Sequence, residues 1–122
     1  MGIFMPRFLK SERLKKSNEF KSVFQQCRKL EDGTLAFYVQ FKGDAGLRKF
    51  GVSLSRALGK AYLRNRLKRR LREIYRVEKE NFRQGYQVIL VPRRGSVDLT
   101  FDELRKSFLG LAVKAGLLPR MK

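Results

Sequence analysis

The sequence predicts a single α+β domain in which helices pack on a small sheet, and three observations carry that prediction. Apolar residues recur at helical spacing in three segments, they alternate with a period of two in two others, and YQVILV at 86–91 is apolar on consecutive positions. With 122 residues, 43% of them hydrophobic, the chain is long enough for one core and too short for two ordinary domains. All of residues 1–122 are therefore expected to serve one domain, with 1–16 extended or poorly ordered around Pro6.

The elements follow in order. Ser17-Asn18-Glu19 offers a helix start, after which Phe20, Val23, Phe24 and Cys27 fall at i, i+3, i+4 and i+7. This spacing predicts a short first helix with Cys27 as a small buried filler on its apolar face. Residues 28–33 read as a brief strand or a turn, with Asp32-Gly33 as a turn signal. Leu35, Phe37, Val39 and Phe41 then alternate with Ala36, Tyr38 and Gln40, which predicts a strand with one buried face and sends Tyr38 to the other side. Gly43-Asp44-Ala45-Gly46 closes that strand, Phe50, Val52 and Leu54 alternate in the next, and a hairpin between the two is expected.

A strongly basic helix is predicted from residue 59 or 60 into 78–81. YQVILV reads as a central strand covered on both faces and ended by Pro92. Thr100-Phe101-Asp102-Glu103 matches a capping box, and Phe101, Leu104, Phe108, Leu111 and Ala115 describe the apolar side of a final helix that stops at Gly116. The strand, basic helix, strand portion is a crossover, so its two strands are able to lie parallel in an otherwise antiparallel sheet.

The basic helix points to function. Residues 60–76, KAYLRNRLKRRLREIYR, hold eight basic residues and one acid, Glu73, in seventeen positions. Leu63, Leu67, Leu71 and Ile74 share one arc, while Asn65, Lys68, Arg69, Arg72 and Arg76 gather on the opposite side. A merely solvated helix usually interleaves acids one turn away, and here they are almost absent. Over the whole chain, 29 Lys and Arg against 11 Asp and Glu give 29 − 11 = +18, a self-repulsion that a polyanionic partner relieves. Nucleic acid is the expected partner, and the excess of arginine in this helix suits bidentate phosphate contacts.

Composition excludes other classes. No apolar run approaches the length needed to span a bilayer, the helix has no Trp to anchor it on one, and the first sixteen residues lack the pattern of a signal peptide, so a cytoplasmic protein with no membrane partner is expected. One cysteine and no histidine rule out an intramolecular disulfide and leave no convincing zinc or copper ligand set or histidine-activated nucleophile. Gly59-Lys60 is not a phosphate loop, because Leu54 and Ala61 stand where that motif needs Gly and Ser or Thr. Periodicity explains Phe20 and Phe24 as core at least as well as base-stacking positions. For Tyr38 the strand alternation leaves two readings open, a stacking platform or a ring packed under the first helix.

In RLKKSNEFKSVF, LAFYVQF, FGVSLSRALGKAYLRNRLKRRLRE and YQVILVPR the sequence resembles the protein component of bacterial ribonuclease P across nearly its whole length. The resemblance implies an α-β-β-β-α-β-α sandwich with a left-handed crossover around the basic helix, against the usual right-handed preference. It implies that Arg64, Asn65, Arg66, Lys68, Arg69 and Arg72 contact the catalytic RNA. It also implies that Phe20, Phe24 and Tyr38, with Lys16 and Arg13 at the edge, line a cleft for the single-stranded 5′ leader of precursor tRNA. No catalytic residue is then expected in the protein and no small-molecule cofactor, with Mg²⁺ bound mainly by the RNA. Two departures stand out: Cys27 where the family often has glycine, and Ala57 where a second basic residue commonly follows Arg56. The alternative is a ribosomal or assembly protein that binds structured RNA without catalysis. A major-groove DNA reader fits less well, because no second short helix precedes the basic one.

Overall fold

Four strands form one mixed sheet, with a short helix on one face and two longer helices on the other. The computed structural model describes residue 14 and residues 17–25, 27–43 and 48–118. In chain order these form α1 (Ser17–Gln25), β1 (Arg28–Glu31), β2 (Leu35–Phe41), β3 (Arg48–Val52), α2 (Ala61–Glu78), β4 (Tyr86–Pro92) and α3 (Phe101–Lys114). Short 3-10 turns at Arg56–Leu58, Lys79–Asn81 and Arg94–Ser96 join some of them. The α-β-β-β-α-β-α order is the expected one.

Sheet order is β1-β2-β4-β3. β1 pairs antiparallel with β2, β2 pairs antiparallel with β4, and β3 pairs parallel with β4 across the α2 crossover. The hairpin expected between β2 and β3 is therefore not formed. β4 lies between them, and its apolar sequence explains why: Val88, Ile89 and Leu90 are buried and need cover on both faces and both edges.

Side-chain alternation sorts two cores of unequal size. Leu35, Phe37 and Val39 of β2, Phe50 of β3, and Val88 and Leu90 of β4 meet Leu67, Leu71, Ile74 and Tyr75 of α2 and Leu104, Phe108 and Leu111 of α3. At its centre the Phe50 and Tyr75 rings stack with centroids 4.3 Å apart, and Phe108 meets Phe37 edge-on at 5.2 Å. On the other face Leu14, Val23 and Ile89 form a small cluster flanked by Phe20, Cys27, Tyr38 and Val91. β2 is thus covered on both faces, not on one: Ala36 and Gln40 are buried as well as Leu35, Phe37 and Val39.

Three further expectations are corrected. Phe41 is 67% exposed, because β2 runs past the end of the helical layer and the ring rests against Tyr86 beside Gly43 and Gly85. Phe101 is 37% exposed, because it opens α3 before the helix reaches the core. Cys27 is half-buried and lies beyond the end of α1, where its thiol donates to the Phe24 carbonyl oxygen at 3.6 Å. Burial pushes that thiol above its ordinary pKa.

Local chemistry fixes the remaining joints. Thr100 and Glu103 form the expected capping box, and hydrogen bonds to the Glu103 carboxyl, chiefly from the Thr100 amide and then from the Thr100 hydroxyl, hold it below its usual range. Asp32 anchors the β1–β2 turn: its carboxylate accepts from the Thr34 and Leu35 amides, at 2.9 Å each, and from the Thr34 and Ser107 hydroxyls. Burial acts to raise the Asp32 pKa, but these hydrogen bonds outweigh it and the net shift is downward. The Ser107 contact ties the turn to α3.

Candidate nucleic-acid interface

Helix α2 separates packing from display. Leu67, Leu71, Ile74 and Tyr75 are buried, while Asn65, Arg66 and Arg69 are exposed and Lys68 and Arg72 are half-exposed. The leucine stripe missed Tyr75, whose position one residue past Ile74 still falls within the packed arc. Arg64 differs from the other basic residues. It lies on the same side as Leu71 and Tyr75, its Nε is buried with no hydrogen-bond partner, and only part of its surface reaches solvent. Arg70 is also committed inward, donating to the Leu99 carbonyl at 3.3 Å.

The start of α2 is electrostatically unfavourable on its own. Lys60 occupies the N-cap without a side-chain cap bond, and the first turn contains no acid. Arg64 and Arg66 follow close to the positive end of the helix dipole, where anions and not cations are stabilising. Glu73 gives the surface little relief, because Arg76 grips its carboxylate with two hydrogen bonds, at 2.9 and 2.6 Å, and depresses its pKa. Such a helix is held by its leucines and gains from an anion brought to its outer face.

The second surface lies where α1 crosses the sheet. Phe24, 41% exposed, meets Tyr38 edge-on with centroids 4.9 Å apart, and the Lys29 ammonium sits 5.7 Å from the Tyr38 ring centre. Phe20 is half-buried and packs down on Gly51 of β3. A Cβ at position 51 would come within 2.8 Å of the Phe20 ring and 2.9 Å of Leu14, so glycine there is what admits both side chains. Beside the aromatic pair, Glu31 bridges Lys29 and Arg93. An open shelf results, with ring faces and cations, and with Glu31 paired to Lys29 and Arg93.

The structure thus brings Phe20, Phe24 and Tyr38 together on one side of the sheet and sets Asn65, Arg66, Lys68, Arg69 and Arg72 on the outside of the layer that covers the other. Lys16 and Arg13 lie outside the described residues. Lys29 beside Tyr38 escaped the sequence reading. Its signal is the two-residue alternation of β1, which puts Lys29 and Glu31 on the α1 side once β1 is paired with β2. Ser55 is used locally, accepting from the Ala57 amide at 3.1 Å. Among the described residues no three of His, Cys, Asp and Glu gather in a way that could hold a metal ion. No helix among them is long and apolar enough to cross a membrane.

Comparison with known proteins gives one answer. The family model described as Ribonuclease P matches residues 8–116. A ribonuclease P protein component from Symbiobacterium thermophilum is 40% identical over 112 residues, covering 91% of this chain and 96% of that protein. Its counterpart from Clostridium botulinum is 30% identical, covering 89% and 98%. Among solved structures, the RNase P protein of Staphylococcus aureus superposes with a TM-score of 0.83 at 25% identity, covering 89% of this chain and 99% of that one. The RNase P protein of Thermotoga maritima gives 0.74 at 29% identity, covering 82% and 94%.

Proposed function

This chain belongs to the ribonuclease P protein family, and on that premise we propose that it is the RNA-binding subunit of a ribonucleoprotein endonuclease that removes the 5′ leader from precursor tRNA. The observation that carries the reading is the division of labour in the fold. A cationic helix surface and an aromatic shelf lie on opposite sides of one sheet, so two nucleic-acid strands can be held at once.

In this reading Asn65, Arg66, Lys68, Arg69 and Arg72 face the catalytic RNA, and Arg64 reaches it only through the part of its side chain left at the surface. The arginine and lysine charges neutralise phosphates that otherwise repel each other as the RNA folds close to its reactive centre. The shelf of Phe20, Phe24 and Tyr38 takes the single-stranded leader, a task the family resemblance also assigns to Lys16 and Arg13. Rings stack on bases whatever their sequence, and Lys29 adds attraction for the leader backbone. Holding the leader on one side and the RNA on the other restricts where the scissile phosphodiester can sit, a positional contribution to rate. The reaction itself is assigned to the RNA, with Mg²⁺ bound mainly by it, in the cytoplasm.

The deciding experiment adds the purified protein to a ribonuclease P RNA transcript at low Mg²⁺ and follows cleavage of a precursor tRNA. Stimulation is expected. Tight RNA binding without stimulation would favour the non-catalytic, ribosomal or assembly-type reading. If about six phosphates are neutralised, affinity for the RNA falls roughly a thousandfold between 50 and 200 mM salt. A salt-insensitive complex contradicts the electrostatic account.

A further inference from the structure

The α2–α3 groove contains an aromatic that neither the core nor the leader shelf uses. Phe101 lines it together with Arg66, Arg69, Arg70 and Glu73, around a space of about 390 Å³. Phe101 is 37% exposed and stacks on no other ring among the described residues. On α2 a second exposed ring continues the same line: Tyr62, 64% exposed, precedes Arg66 by four residues and Arg69 by seven, which puts all three on one helical stripe. A single exposed ring is ordinary, but two rings aligned with the same pair of arginines form a patterned surface.

The charges along the stripe are available for an anion. Arg66 and Arg69 make no ion pair or hydrogen bond among the described residues. Glu73, the acid that lines the groove, is neutralised by Arg76, and Arg70 is fixed on the Leu99 carbonyl as part of the wall. Two rings bracketing two unpaired guanidinium groups match the pattern that holds a nucleic-acid strand with its bases unstacked from their neighbours. A duplex offers no free base faces to such rings, and an apolar peptide would leave both arginines without partners.

We propose that Tyr62, Arg66, Arg69 and Phe101 form a stacking track for unpaired nucleotides of the partner RNA, with Tyr62 and Phe101 each taking a base and the arginines taking the intervening phosphates. The proposal rests on the reading that α2 faces RNA, and assigns to that contact two rings, one of them on α3. It makes the α2 surface a reader of single-stranded RNA as well as of phosphate density.

The test measures affinity for a ribonuclease P RNA transcript across a salt series, with thermal melts to confirm folding. Tyr62→Ala and Phe101→Ala are each expected to weaken binding about tenfold while leaving the salt slope unchanged, since stacking releases no counterions. Arg66→Ala and Arg69→Ala are each expected to reduce that slope by about one. Phe101→Trp should bind at least as well as the parent and Phe101→Leu should bind as weakly as Phe101→Ala. Parent-like binding by Phe101→Leu means apolar packing and overturns the stacking track. Parent-like binding by both alanine ring variants, with loss in the arginine variants, also overturns it and leaves the α2 reading standing. If the arginine variants too bind like the parent, the α2 reading falls with it.

Discussion

The two faces of the sheet solve the same problem in different ways. On the α2–α3 face a deep aromatic and aliphatic core carries the packing, and the basic residues stand outside it on the far side of α2. On the α1 face the enclosed apolar cluster among the described residues is small, Leu14, Val23 and Ile89 with Ala36 and Gln40 buried beside it, and Phe20, Phe24 and Tyr38 serve both as partial core and as surface. One face keeps stability and contact in separate residues, whereas the other merges them. Substitutions should therefore divide cleanly on the α2 side and act on both properties at once on the α1 side.

The largest effect is expected from Leu71→Ala, which empties a fully buried position between α2 and the sheet. It should cost about 2 to 5 kcal/mol in urea or thermal unfolding. Its counterpart outside the core, the double variant Arg66→Ala with Arg69→Ala, should change stability by no more than about 0.5 kcal/mol while weakening RNA binding. A large fall in stability for the arginine pair would break the proposed separation.

Gly51→Ala tests the merged face. The new Cβ meets the Phe20 ring and Leu14 well inside contact distance, so both must give way, at a cost of about 1 to 3 kcal/mol. Unfolding midpoints and leader-dependent substrate affinity should fall together. Normal leader affinity in a destabilised Gly51→Ala protein would show that Phe20 is packing alone.

Tyr38→Ala sharpens the comparison from the other side. It should cost about 1 to 3 kcal/mol in binding a long-leader precursor tRNA if a base stacks on that ring, and much less with a substrate that lacks a leader. No difference between the two substrates would leave Tyr38 as a ring packed beside Phe24.

The smallest effect is expected from Asp32→Asn, which removes a charge that accepts hydrogen bonds at the β1–β2 turn and from α3. About 1 kcal/mol should be lost at neutral pH. Because the folded-state pKa of Asp32 is lowered, its contribution is complete above the unfolded carboxylate value near 3.9 and disappears as pH falls through the lower folded value. The gap between parent and variant in thermal unfolding should therefore narrow below about pH 4. Leader binding should not follow this change, since the turn is joined to α3 and not to the aromatic shelf.

Much of this was legible along the chain because its signals are local. The leucine stripe of α2, the capping box of α3 and the continuous apolar run of β4 each specify an element within a few residues. Phe41, Phe101 and Cys27 were misplaced because periodicity gives the direction of a side chain but not where the opposing layer ends. The aromatic shelf was only partly readable for a related reason: Phe24 and Tyr38 are fourteen residues apart in sequence and meet only when α1 folds over β2.

By itself the sequence determined the kinds of element, their order, the cationic outer face of α2 and the net charge that calls for a polyanion. Those properties follow from helical and strand periods and from composition, which act over one or two turns. Tertiary structure alone decided that β4 separates β2 from β3, that Gly51 makes room for Phe20, and that Phe101 comes to lie beside Arg66 and Arg69. Each depends on contacts between segments far apart in the chain, where the need of a central strand for cover on every side outweighs any local preference.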